Sequence, residues 1–240
     1  MPSKTLPAVL PGGGTTDYAR YLRTDDLLAL QRGPAEWVHP DELMFQIVHQ
    51  SAELWLKLAR THLAGTLTHL TTGRVGEAEL LLRRACLGLR LITDQLQMLR
   101  QLQPAQFALI RTVLGNGSGF ESPGWQQLRS ATIDLDIAFT SLLTSLDVTP
   151  AGIYREQPSD PLYRLAEALV DLDERIASWR TEHYQLATRI IGADVLGTRD
   201  MPVNALATLI SHRRFPSLWQ ARTELTDHSP RGRHGHQDRR

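Results

Sequence analysis

Residues 75–102, VGEAELLLRRACLGLRLITDQLQMLRQL, repeat their apolar side chains at steps of three and four, and nowhere does the chain alternate apolar with polar long enough for a strand. The pattern predicts an all-α fold, a helical bundle of long antiparallel helices that bury leucine faces against one another. The stripe itself is core packing. Proline and glycine mark the ends of the other units. Residues 16–31 form a short helical unit that stops at Arg32-Gly33-Pro34, and a long helix runs from residue 40 to about 70 with Pro40 and Asp41 in its first turn. Shorter helices are predicted over 105–114, closed by GNGSG, and over 125–146, before Pro150. A long one spans about 161–191 and stops at Gly192. A loop through Pro202, a helix over about 203–211 and a short FPSLWQART segment complete the pattern.

With 240 residues, 42% of them hydrophobic, the chain can bury one substantial core without crosslinks. The expected organisation is a flexible arm over 1–15, a single domain over 16–223 and a basic, disordered tail over 224–240. Lys plus Arg and Asp plus Glu both count 26, so no overall charge draws the protein to nucleic acid or to an anionic membrane, and a small, locally recognised ligand is expected. Cys86 is the only cysteine, which excludes an intrachain disulfide framework and a cysteine-cluster metal site. No apolar run reaches the length of a signal sequence or a membrane span, so a soluble, cytoplasmic protein is expected.

Several catalytic patterns are missing. GNGSGF at 115–120 follows a helix where a phosphate loop needs a strand, and no HExxH pair is present. What remains is concentrated in three helical stretches. In HPDELMFQIVHQSAELWLK, residues 39–57, Phe45, His49 and Glu53 follow one another at steps of four, on one helix side. Two readings stand for His49: a core histidine bonded to the next helix, or an imidazole meeting the polar edge of an aromatic substrate packed on Phe45. His183, in WRTEHYQLATRIIG, shares its face with Leu186, Ala187 and Ile190. It is either an ordinary core histidine or the single ligand that a haem requires. Arg111 follows Phe107 by four. Its guanidinium either pairs with a neighbouring helix at the surface or receives a carboxylate in two parallel hydrogen bonds.

Five blocks in order resemble the tryptophan 2,3-dioxygenase family, helical haem enzymes that open the indole ring of tryptophan. They are DYARYL at 17–22, HPDELMFQIVHQSAELWLK at 39–57, FALIRTVLGNGSGFES at 107–122, WRTEHYQLATRIIG at 179–192, and FPSLWQART near the end. Together they cover most of residues 16–223 except roughly 129–178. The resemblance implies haem b as cofactor, with O2 as co-substrate and His183 as the axial iron ligand. It implies that His49 faces the indole N–H as the catalytic histidine, that Phe45 packs on the indole, and that Arg111 binds the substrate carboxylate beside Phe107. It further implies a homotetramer in which Tyr18 and Leu22 complete a neighbouring subunit's pocket.

Two departures qualify the resemblance. The family's Gly-Thr-Gly-Gly-Ser loop, which closes over the amino acid, corresponds here to the glycine-poor ADVLGTRDMPVNAL, where Gly197 holds the threonine's place and Thr198 fills the role with a one-residue shift. The interval between the SGF and WRTEH blocks is also shorter than in the typical enzyme. These changes point to a divergent member, of secondary metabolism, acting on tryptophan or a side-chain-modified relative. Monooxygenation to an oxindole is an alternative outcome, and a non-catalytic haem sensor or carrier is an alternative of another class.

Overall fold

The computed structural model describes residues 10–115, 117–195 and 202–227. These hold nine α-helices and three short 3-10 turns, with no β-strand among the described residues. Three helices form the frame: α3 (Glu42–Thr71), α4 (Val75–Leu99) and α8 (Pro161–Ile190). The turn at 72–74 is too short for anything but an antiparallel α3–α4 pair, and this is the most extensive helix contact in the fold. On its other side α4 packs along α8, while α6 (Pro123–Ser145) lies along α3.

The leucine period of α4 explains this order. Leu82, Leu89 and Ile92 are almost wholly buried and meet Leu56 and Leu63 of α3 and Leu165, Leu169 and Leu172 of α8 in the main core. Each such side chain contributes about 1.5–3 kcal/mol when taken out of water. Cys86 lies in the same core, where burial pushes its thiol up to about 12. A second, smaller core lies at one end of the frame, where Val48 of α3, Leu96 and Leu99 of α4, Ile110 of α5 (Pro104–Leu114) and Leu186 and Ile190 of α8 converge.

Polar contacts set the ends. The buried Glu42 carboxylate receives the backbone N–H groups of Val38 and His39, so the turn before α3 is held by the first helical residue and not by Asp41. At the far end of the chain, Asp173 of α8 is 1% exposed and accepts from Arg214 N, Phe215 N and Trp219 Nε1. This single carboxylate seats α9 (Pro216–Asp227), which carries the FPSLW block, against α8. Gly192, at φ +101°, ends α8 in the left-handed region that glycine tolerates.

Three features differ from the sequence expectation. The unit at 16–31 is two helices, α1 (Asp17–Leu22) and α2 (Thr24–Leu28), because Arg23 adopts φ 53° and breaks the run. Val203–Leu209 is a 3-10 helix and not the α-helix expected there. The four-residue α7 (Pro150–Ile153), capped by the Thr149 hydroxyl, has no counterpart in the apolar period. The tail from residue 228 onward and residues 1–9 of the arm lie outside the described residues.

Gly124 shows how closely α6 approaches α3. A Cβ there would lie 2.6 Å from both Glu53 Oε2 and Leu56 Cβ. Gly124→Ala is therefore expected to destabilise the protein by about 1–3 kcal/mol in denaturant melts. Gly76→Ala, where nothing lies within 4 Å of an added Cβ, is expected to leave the melt unchanged or raise it slightly.

Candidate functional site

The second core is where the chemistry-bearing side chains gather. Phe45 and His49 sit one turn apart on α3 with ring centroids 4.1 Å apart. His49 Nδ1 lies 2.7 Å from the Phe45 carbonyl oxygen, which can only accept, so the proton resides on Nδ1 and Nε2 is left as an acceptor. The ring presents part of its surface to solvent. The protein packed around the rest nevertheless holds its pKa below the ordinary imidazole value, against the opposing pull of the Phe45 carbonyl and the Glu53 charge. Both facts describe a side chain at the wall of a recess. Glu53 itself turns to α6, where its carboxylate takes the Ser122 hydroxyl and the Gly124 N–H, the latter at 2.9 Å.

From α5 comes Phe107, its ring 6.0 Å from Phe45. Pro104 opens this helix, and Gln103 N donates to Gln106 Oε1 at 2.9 Å, closing its first turn. Arg111 follows on the next turn, half-buried and engaged by an interaction within the chain.

His183 comes from α8, one turn after Trp179. The two rings stack 4.7 Å apart and 9° from parallel, and Trp179 in turn meets Trp125 of α6 at 4.1 Å. Burial pushes the His183 pKa down to about 4, and the nearby His49 ring adds to the effect. The two imidazoles are thus within electrostatic reach, and at neutral pH both are uncharged with a nitrogen lone pair free to act. Trp125 and Trp179 were not singled out from the sequence. Trp179 is four residues before His183 and readable from that spacing, whereas Trp125 depends on the approach of α6.

Four of the expected site residues, Phe45, His49, Phe107 and His183, are therefore gathered at one end of the frame. Tyr18 and Leu22 are not among them: on α1 they remain 70% and 46% exposed. Thr198, with Gly197, lies outside the described residues. A cleft of about 470 Å³ lined by Glu174, Ser178, Thr181, Arg213 and Trp219 includes none of the expected residues, and its open, charged walls do not suit an aromatic ligand.

No group of three metal-ligating side chains exists among the described residues, so a multi-ligand metal centre is not supported there. A cofactor held by a single protein ligand does fit. His183 offers a neutral imidazole, and Leu186 and Ile190, buried further along the same helix, keep that end of the frame apolar. The Trp179 indole N–H beside it is buried without a hydrogen-bond partner.

Comparison with known proteins identifies the family. The profile of the tryptophan 2,3-dioxygenase family matches residues 8–132. The tryptophan 2,3-dioxygenase of Caulobacter vibrioides is 31% identical, over 87% of this chain and 98% of its own length. Those of Myxococcus xanthus and Xanthomonas campestris pv. campestris are 27% and 29% identical, over 92% and 88% of this chain and 93% and 88% of their own. The chain belongs to the tryptophan 2,3-dioxygenase family and is a haem-dependent tryptophan oxygenase by that membership. No described helix is long and apolar enough to cross a membrane.

The His49 environment is open to measurement. Its folded pKa is depressed, so as pH falls the unfolded chain takes up this proton first, beginning near the ordinary 6.5. The contribution of the neutral ring to stability is complete above that pH and is lost on the way down to the folded pKa. Histidine-selective NMR of the protein should show His49 titrating below 6.5, with the neutral ring protonated at Nδ1; an ordinary or raised midpoint would contradict the burial, and a neutral ring protonated at Nε2 would contradict the tautomer.

Proposed function

We propose that this protein inserts oxygen from O2 into the C2–C3 bond of the indole ring of L-tryptophan or a side-chain-modified tryptophan, using haem b held by His183. The observation that carries the reading is the approach of two neutral imidazoles, one beside Phe45 and one stacked on Trp179, at a single apolar cluster. Haem bound at His183 supplies the activation of dioxygen. The remaining work belongs to the side chains. His49 Nε2 accepts the indole N–H, which fixes the plane and register of the ring and steadies positive charge that grows on it as the ring is attacked. Phe45 packs on the indole face and Phe107 closes the wall behind it.

Arg111 receives the substrate carboxylate on its planar fork. With the ring held at one end and the carboxylate at the other, the reacting carbons are positioned rather than merely bound. Thr198, a substrate contact by the family resemblance alone, lies outside the described residues. Tyr18 and Leu22, exposed on a helix that buries none of its own residues, contribute to a neighbouring subunit's pocket in a homotetramer. Water is excluded on that side only on assembly. The glycine-poor loop favours a divergent member of the family, and the monooxygenase outcome remains the second reading on that one observation.

Spectral titration of the ferrous haem-loaded protein with tryptophan and its methylated or hydroxylated relatives identifies the substrate. Mass spectrometry of the product under labelled dioxygen then decides the outcome: two label atoms establish dioxygenation, and one establishes the oxindole alternative. His183→Ala is expected to abolish stable haem binding, and an unchanged Soret band would overturn its role. Arg111→Ala is expected to weaken tryptophan binding by about 2–5 kcal/mol, and an unchanged affinity would remove the carboxylate contact.

A further inference from the structure

Helices α3 and α8 carry the two histidines, yet among the described residues they barely touch; α4 lies between them. The gap between His49 and His183 is therefore set by how α4 grips each neighbour. Apolar burial is non-directional, whereas a hydrogen bond prefers one orientation of its partners. Two polar contacts at the site end of α4 supply the direction.

The first is Gln95. Its Nε2 donates to the Val48 carbonyl oxygen at 3.1 Å, and its Oε1 accepts from the Ser51 hydroxyl at 2.6 Å. The carbonyl can only accept, so the amide orientation is chemically determined. The carboxamide thus lies across the turn of α3 that contains His49, with one hydrogen bond on each side of it in sequence. As placed, the amide donates to one partner and accepts from the other, while the Ser51 hydroxyl also lies 3.1 Å from the Val48 carbonyl oxygen. His49, bonded through Nδ1 to its own helix at Phe45, has no independent freedom to recover if that turn rotates.

The second contact points the other way. Arg100, five residues further along, donates to Glu182 Oε2 at 2.8 Å and to Gln185 Oε1 at 3.1 Å, on either side of His183 in sequence. The C-terminal end of α4 and Arg100, the residue that caps it, thereby clasp both histidine-bearing turns.

We propose that Gln95 is a positioning residue for the indole N–H contact: it fixes the rotation of the Val48–Ser51 turn and so the aim of His49 Nε2 relative to the face that carries His183. This rests on the proposed role of His49, and the test separates the two. Haem-loaded protein is titrated with L-tryptophan and with 1-methyltryptophan, which lacks the indole N–H, and the ratio of the two dissociation constants is taken. The parent should favour tryptophan; a ratio near one in the parent would overturn the role of His49 itself.

Gln95→Leu keeps the size and removes both hydrogen bonds. It is expected to lower the ratio by about tenfold, the worth of roughly one well-made hydrogen bond, while the Soret band and haem content stay at the parental level. Gln95→Glu keeps the acceptor for Ser51 but sets a carboxylate oxygen against the Val48 carbonyl, and should lower the ratio as well. Ser51→Ala, which removes one bond and no volume from α4, should lower it less and serves where Gln95→Leu does not fold. A folded Gln95→Leu or Ser51→Ala with the parental ratio overturns the proposal. A general loss of stability would shift both dissociation constants together and leave the ratio unchanged.

Discussion

The burial of the α4 leucine face between α3 and α8 is the constraint on which the rest of the structure depends. Leu82, Leu89 and Ile92 have essentially no solvent contact and belong to a single core cluster with residues of α3 and α8. Once this layer is closed, the direction of α3 and α8 is given, and their far ends must converge on the second core. The rings of Phe45 and Phe107 then have an apolar floor, and His183 has a buried one. The site is thus a property of one end of a helix frame. It needs no loop to hold its first members.

Much of that frame was legible in the chain because its cause is local. A helix that buries one face must repeat its leucines, and α3, α4, α6 and α8 do so over many turns. Arg23 was not legible, since arginine carries no preference for the left-handed backbone that splits α1 from α2. Nor was α7, which is a capped turn set by Thr149 and Pro150 with a single buried side chain, Ile153. The same division holds in the site. Phe45, His49, Phe107 and His183 follow from spacing within a helix and from the family resemblance. Trp125 and Gln95 act across helices, and only the packing of α6 and α4 reveals what they touch.

The electrostatics of the site follow from where the charges are kept. Glu53 turns its carboxylate to the start of α6, and Glu182 is taken by Arg100. The imidazoles are left in low-polarity surroundings in their uncharged forms. A positive imidazolium would repel a neighbouring positive centre and could not accept a hydrogen bond. Carboxylates placed directly against either ring would have favoured that charged form.

The position of Cys86 carries a consequence for a protein that works with dioxygen. Sulfur is attacked by reactive oxygen species most readily as the exposed thiolate. Here the only thiol of the chain is enclosed by leucines and held protonated far above neutral pH. A far more exposed sulfur is the thioether of Met98, 53% exposed on α4. Stray oxidant would meet a side chain whose sulfoxide can be reduced again before it met one whose oxidation would open the core.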